Sequence, residues 1–181
     1  MMKAFISVGE LINAARSLKA GDEIALSGTV YTARDAAHKK IKAFLDSGEK
    51  LPFDLKDAVI YYAGPTPPKP GEICGSFGPT TSARMDAIAP LLYEKELFAT
   101  VGKGERSEEV RQAIIKREGL YLIALGGAGA LAAKHIASVK VIAFPELDCE
   151  SVKELVFDNF PLYVGIDTYG NDIFNKEKAL T

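Results

Sequence analysis

The sequence contains no tryptophan, only two cysteines, no excess of basic residues and no long apolar run. Two cysteines cannot build a disulfide framework, a zinc site or the usual ligand set of an iron–sulfur cluster. The formal net charge of −2 gives no general attraction for nucleic acid or a membrane surface. No run approaches transmembrane length, and the N-terminal residues lack a signal-peptide pattern. We therefore expect a cytoplasmic protein that binds neither nucleic acid nor membranes.

The composition predicts one globular domain. Hydrophobic residues make up 48% of the 181 residues and charged residues 25%, as in folded soluble proteins. This length suffices for one core and is too short for two large ones, so we predict a single domain over residues 1–181. Strand-like and helix-like segments alternate through the middle of the chain, and its end is richer in strand residues. That order predicts an α/β fold with a mixed sheet.

Three cations follow predicted strands and stand near the starts of predicted helices. Arg34 follows "SGTVYTA", Arg84 lies in "GSFGPTTSARMD", and Lys103 precedes a helix capped by Ser107. Ligands of α/β domains gather at the carboxyl ends of strands, where helix N-termini favour anions over cations. Each cation alone is more often an ordinary surface residue. Together they predict a pocket for a dianion, and two arginines make a dicarboxylate our first choice.

Several neighbours could support this pocket. His38 lies one helical turn after the first arginine and could orient a substrate, although a structural histidine is more common there. Asp35 and Asp86 adjoin the arginines and are predicted to pair with them. We expect a helix to start near Thr81, where Thr80 or Thr81 could cap it.

A glycine-rich segment offers a rival interpretation. Gly127 and Gly129 follow a predicted strand, and Glu146 lies where a ribose-binding acid would fall in a dinucleotide fingerprint. Too little chain follows for a complete nucleotide domain, and Pro145 interrupts the strand that would present the acid. We favour small residues that let a helix pack closely on the sheet. The start of that helix could still donate N–H groups to the anion.

The segments that carry these residues resemble one enzyme family. They are "SGTVYTARDAAHKKI", "YYAGPTP", "GPTTSARMD", "VGKG", "YLIALGGAGAL" and "FPLYVGIDTYGN". Over about residues 18–171 they resemble the β subunit, or C-terminal domain, of class I iron–sulfur fumarate hydratases and tartrate dehydratases. "TARDAAH" together with "GPTTSARMD" is the most specific part. The resemblance implies a three-layer β/β/α "swivelling" fold and a role as half of a hydro-lyase.

The resemblance also implies roles for individual residues. Arg34, Arg84 and Lys103 would contact substrate carboxylates, and Thr80 would be a general base. We expect four supporting residues around them: His38, Thr81, Asp35 and Gly127. No residue of this chain is predicted to bind a metal, because the family's four-iron, four-sulfur cluster belongs to a partner α subunit. The expected assembly is a hetero-oligomer with that subunit, with possible dimerisation through this chain.

The implied reaction interconverts (S)-malate with fumarate and water. A proton leaves the carbon beside a carboxylate, and cations stabilise the resulting charge, while the open iron of the cluster acts as a Lewis acid on the leaving hydroxyl. A threonine is a poor base, so Thr80 would need help from an arginine, a helix N-terminus or a carboxylate of the partner.

Three other functions stay open. The same machinery could act on tartrate or another hydroxy-dicarboxylate. The chain could be a stand-alone anion- or nucleotide-binding module that uses its glycine loop, or a non-catalytic scaffold for its partner.

Overall fold

The structure is a computed structural model that describes residues 4–175. The predicted domain also included residues 1–3 and 176–181, which lie outside the described part. Seven strands and five α-helices occur in the described part: β1 (Ala4–Ser7), α1 (Val8–Ala15), β2 (Glu23–Thr32), α2 (Asp35–Ser47), β3 (Val59–Tyr61), α3 (Ala89–Glu94), β4 (Ala99–Gly102), α4 (Glu108–Arg117), β5 (Leu120–Ile123), α5 (Gly129–Ala133), β6 (Ile136–Ala143) and β7 (Val152–Ile166). Two 3₁₀ helices, Ser82–Met85 and Pro145–Glu150, complete the elements.

The strands form one mixed sheet in the order β1-β2-β3-β4-β5-β7-β6. Strands β1 to β5 pair in parallel along this order. The long strand β7 runs antiparallel to β5 and β6, and it also pairs with β2 from Glu23↔Tyr163 to Tyr31↔Glu154. Strands β2, β3, β4, β5 and β7 therefore close into a circuit. The predicted α/β fold with a mixed sheet is confirmed.

Strand β3 shows how the core divides into layers. Val59 and Tyr61 belong to a cluster drawn mostly from strands, which includes Phe157 of β7. Ile60, which points the other way, belongs to a second cluster with Ile41 of α2. Alternate side chains of a strand face opposite sides, so the same strand contributes to a strand–strand core and to a strand–helix core. This arrangement agrees with the layered fold that the family resemblance implies.

Local sequence signals explain several boundaries. Helix α2 ends at Gly48, whose φ of 73° is the left-handed conformation that glycine adopts without strain. Helix α4 begins after Ser107, whose side chain accepts from the amide of Val110 as predicted. The chain turns after β7, where the amide of Gly170 donates to the carbonyl of Asp167.

The predicted helix beginning near Thr81 is wrong in its extent. The chain forms a 3₁₀ helix at Ser82–Met85 and starts α3 only at Ala89. Pro90 occupies the first turn of α3, where its missing N–H costs nothing. Within a continuous helix the same ring would clash with the carbonyl four residues earlier, so Pro90 separates the two elements.

The parallel strands bring distant segments to one edge. Strands β2, β3, β4 and β5 are parallel neighbours, so their carboxyl ends lie at the same edge of the sheet. Arg34 follows β2, Lys103 follows β4, and residues 124–129 follow β5. Within residues 4–175 no helix is long and apolar enough to cross a membrane.

Candidate functional site

Arg34 and Arg84 converge on one carboxylate at this edge. Arg84 Nε donates to Asp35 Oδ1 at 2.9 Å, and Arg34 Nη2 lies 4.0 Å from Asp35 Oδ2. The Arg34 side chain is 21% exposed and that of Arg84 53%. The predicted pairing of Asp35 with the arginines is thus present. Asp35 thus supplies a carboxylate from within the chain to both arginines.

Lys103 lies beside the same segment. Thr81 and Lys103 form a parallel bridge, and the amide of Ser82 donates to the carbonyl of Lys103 at 2.9 Å. The Lys103 side chain passes over the glycine loop, since a Cβ built on Gly126 would lie 3.4 Å from its Cδ. Among residues 4–175 it makes no ion pair within 4.0 Å, so its charge is available to a ligand.

Thr80 lies between these groups. Its amide donates to the carbonyl of Tyr62 at 2.6 Å, and the preceding Pro79 bridges to Ala63. Thr80 is therefore attached to the end of β3, between the ends of β2 and β4. The capping prediction is wrong, because Thr81 is the N-cap residue and makes no side-chain cap bond. The four-residue 3₁₀ helix that follows is also a poor source of a helix dipole.

A buried ion pair behind the site was missed by the sequence analysis. The Arg106 side chain is fully buried, and its Nε donates to Asp86 Oδ1 at 2.7 Å. The other carboxylate oxygen, Asp86 Oδ2, accepts from the amide of Ser107 at 2.6 Å. Asp86 thus pairs with Arg106 rather than with the neighbouring Arg84. The pair joins the segment carrying Thr80 and Arg84 to the loop after Lys103.

Aromatic residues enclose this arginine. Its guanidinium lies over the rings of Tyr62 and Tyr121, with centroid distances of 5.3 and 4.9 Å. Arg106 Nη1 also donates to Thr100 Oγ1 at 2.9 Å. The Tyr121 hydroxyl bonds Ser82 Oγ and the carbonyl of Gly104, on the two loops that the ion pair joins. Burial raises the pKa of both tyrosines, so both remain neutral phenols at neutral pH.

His38 is a buried neutral base beneath Arg34. Its Nδ1 lies 2.9 Å from the carbonyl of Arg34, which only accepts, so Nδ1 carries the ring proton. Nε2 is buried without a hydrogen-bond partner. Burial lowers the pKa of His38 to about 4; the bond to Arg34 opposes this, and nearby Arg106 adds to it. His38 therefore fixes the first turn of α2 and contributes no positive charge at neutral pH.

The cysteines do not form a metal site. Cys74 is buried in the proline-rich loop, and Cys149 is exposed in the second 3₁₀ helix. Within residues 4–175 no group of three or more histidine, cysteine, aspartate or glutamate side chains could hold a metal ion. The described residues do not fit an iron–sulfur cluster.

The glycine loop packs against protein backbone. A Cβ on Gly129 would lie 2.2 Å from Ser76 Oγ and 3.0 Å from the amide nitrogen of Gly78. Gly129 thus permits close contact with the loop before Thr80, rather than with the sheet as predicted. Gly127 has the left-handed φ of 76° and forms the exposed turn. Glu146 pairs with Lys40, so the geometry gives the dinucleotide interpretation no support.

Comparisons with known proteins identify relatives of this chain. Residues 6–177 match the family described as Fumarase C-terminus. Fumarate hydratase 2 of Leishmania major is 43% identical over 161 residues, which cover 88% of this chain and 28% of that protein. A Methanocaldococcus jannaschii protein is named provisionally as an L(+)-tartrate dehydratase subunit beta. It is 43% identical over 167 residues, which cover 89% of this chain and 86% of that protein. The L(+)-tartrate dehydratase subunit beta of Escherichia coli is 32% identical, over residues that cover 91% of this chain and 83% of that protein.

The chain is therefore a mixed α/β domain of the kind found in hydro-lyases. It belongs to the Fumarase C-terminus family, which confirms the resemblance inferred from its motifs. It spans about 28% of the length of the fumarate hydratases that it matches, and most of the length of the tartrate dehydratase beta subunits.

Breaking the Arg106–Asp86 pair should destabilise the fold strongly. Arg106→Met leaves the Asp86 carboxylate buried without its partner, so we expect a loss of about 3–5 kcal/mol in the free energy of unfolding. Adding Asp86→Asn removes that charge and keeps an oxygen for the Ser107 amide, so the double variant should recover part of the loss. Urea denaturation measures the free energy of unfolding of both variants. A double variant no more stable than Arg106→Met would contradict this account.

His38 should make stability depend on pH. Its folded-state pKa of about 4 lies below the ordinary 6.5, so the unfolded chain binds the proton more readily. The free energy of unfolding should fall as pH is lowered from about 6.5 to about 4, by on the order of 3 kcal/mol from this residue. Urea denaturation across this range should show a shallower slope for His38→Gln. Equal slopes for wild type and variant would contradict a buried neutral His38.

Proposed function

We propose that this chain is the substrate-binding half of a hydro-lyase that interconverts (S)-malate with fumarate and water. The observation that carries the proposal is the meeting of Arg34, Arg84, Thr80 and Lys103 at one sheet edge, in a chain of the Fumarase C-terminus family. All four come from segments that follow parallel strands of the sheet.

The arginines would hold the substrate carboxylates. The bond from Arg84 Nε to Asp35 orients the guanidinium through its inner nitrogen. Both terminal nitrogens of Arg84 are left to grip a carboxylate, a geometry that a planar guanidinium favours. Lys103 adds a cation that no carboxylate of the described chain neutralises within 4.0 Å. A substrate with two carboxylates matches this distribution of charge better than one with a single carboxylate.

The same cations would stabilise the charge that develops during the reaction. Removing the proton beside a carboxylate places negative charge on that group, and fixed cations lower the energy of the transition state. Thr80 is our candidate to accept the proton, while the hydroxyl on the adjacent carbon departs, so that one water is released for each double bond formed. Since the adjacent 3₁₀ helix is short, activation of Thr80 falls to a neighbouring arginine or to a carboxylate of the partner.

The proposal requires a partner. Because the described residues do not fit a metal cluster, we assign the four-iron, four-sulfur cluster to an α subunit or a fused domain outside this chain. The low coverage of the fumarate hydratases and the high coverage of the tartrate dehydratase beta subunits support such a division.

A tartrate dehydratase subunit is the second candidate. The observation that favours it is similarity, because this chain is 43% and 32% identical to two proteins named as L(+)-tartrate dehydratase beta subunits, the first of them provisionally. Tartrate is also a hydroxy-dicarboxylate, so the same cations would serve it. Assaying both substrates separates the two candidates.

The direct test is anaerobic reconstitution with the cognate cluster-bearing subunit. We expect the assembled complex to form fumarate from malate, and this chain alone to form none. Activity on tartrate but not on malate would select the second candidate. A cluster-loaded complex inactive on both would contradict the proposed function.

Replacing Arg84 should reduce activity without unfolding the chain. Arg84→Lys keeps the charge and loses the planar fork, so we expect kcat/KM for the active substrate to fall by about 100-fold. Steady-state kinetics of the assembled complex measure this fall. The matched control is Arg16→Lys, because Arg16 pairs with Glu118 on an exposed surface away from the sheet edge. Full activity of Arg84→Lys would support a non-catalytic scaffold instead.

A further inference from the structure

The second 3₁₀ helix brings Glu150 to the start of α2. Glu150 Oε2 accepts from the amide of Ala36 at 2.8 Å, although the two residues are 114 positions apart in the sequence. Glu150 Oε1 lies 3.5 Å from Arg34 Nη2, and both side chains are 21% exposed. One carboxylate therefore contacts both the backbone of α2 and the guanidinium that precedes it.

Helix α2 needs a group in this place. The first amides of a helix have no partner within it, and Arg34, the N-cap residue of α2, makes no side-chain cap bond. Glu150 supplies the missing acceptor to Ala36 from another part of the chain. A carboxylate at a helix N-terminus also interacts favourably with the helix dipole.

The segment that carries Glu150 is held firmly. Lys153 is a buried residue, and its Nζ lies within 3.2 Å of the carbonyls of Asp148, Cys149 and Ser151. Gly64 lets this segment approach, because a Cβ there would lie 2.6 Å from the Cys149 carbonyl oxygen and 3.4 Å from Arg34 Cδ. Glu150 thus projects from a fixed support towards Arg34.

We propose that Glu150 is a positioning residue that holds the Arg34 guanidinium in the orientation that binds a substrate carboxylate. This inference rests on the proposed role of Arg34. Arg34 Nε is buried without a hydrogen-bond partner, so its ion pairs orient the group through Nη2. Without Glu150, Asp35 is the one carboxylate among residues 4–175 that remains to pair with Arg34. Asp35 already accepts from Arg84, so loss of Glu150 would disturb both arginines.

Two substitutions separate this role from simple helix capping. Glu150→Gln keeps an oxygen for the Ala36 amide and removes the charge that faces Arg34, whereas Glu150→Ala removes both. In the assembled complex, we expect both variants to raise KM for the active dicarboxylate about tenfold, with kcat changed by less than about threefold. Only Glu150→Ala should lower the unfolding midpoint and speed hydrogen exchange at the Ala36 amide.

The matched control is Glu146→Gln, in the same segment Pro145–Glu150, because Glu146 pairs with Lys40 and does not contact Arg34. Its KM should equal that of wild type. In an Arg34→Lys background, Glu150→Gln should raise KM by less than about twofold, since two residues that act together show non-additive effects.

Two results would overturn the inference while leaving the proposed function intact. A wild-type KM for Glu150→Gln would show that Glu150 only caps α2. A lowered KM would show that Glu150 competes with the substrate for Arg34. If the wild-type complex itself were inactive on malate and tartrate, the proposed function would fail, and the inference with it.

Discussion

The candidate site depends on the buried ion pair between Arg106 and Asp86. The residues after β3 and those after β4 are separate loops, and this pair joins them beneath Thr80, Arg84 and Lys103. A buried pair stabilises only when further hydrogen bonds complete it. Here Thr100 and the Ser107 amide supply those bonds, and the guanidinium also lies over two tyrosine rings. The loops that carry Arg84 and Lys103 are thus held to each other by buried contacts.

Carboxylates of the chain set the balance of charge around the predicted substrate-binding cations. Asp35 and Glu150 lie beside Arg34 and Arg84, and they orient the guanidinium groups while reducing the repulsion between them. His38 stays neutral under Arg34, because burial outweighs its bond to the Arg34 carbonyl. Lys103 keeps its charge free of any ion pair in the described chain. A site of this kind combines fixed orientation with a net attraction for a dianion.

Much of this arrangement could be predicted from the sequence, since each predicted cation follows a strand and parallel strands end at one edge. The positions of Arg34, Arg84 and Lys103 after strands predict that the three side chains lie together, and the motifs indicate the family. The role of Arg106 could not be predicted, because nothing in the neighbouring sequence shows that this arginine turns inward to Asp86. The role of Glu150 could not be predicted for a related reason. The contact of Glu150 with the first turn of α2 depends on the pairing of β7 with β2. The single helix expected after Thr81 does not form, because Pro90 starts a new helix instead of continuing one.

The most direct test of the central claim is an experimental structure of the anaerobic, cluster-loaded complex with its dicarboxylate bound. We predict one carboxylate of the ligand on the terminal nitrogens of Arg84, with Arg34 and Lys103 also within hydrogen-bond distance of the ligand and Thr80 facing its reacting carbons. A ligand bound without contact to Arg34, Arg84 and Lys103 would contradict the account, whatever the activity of the complex.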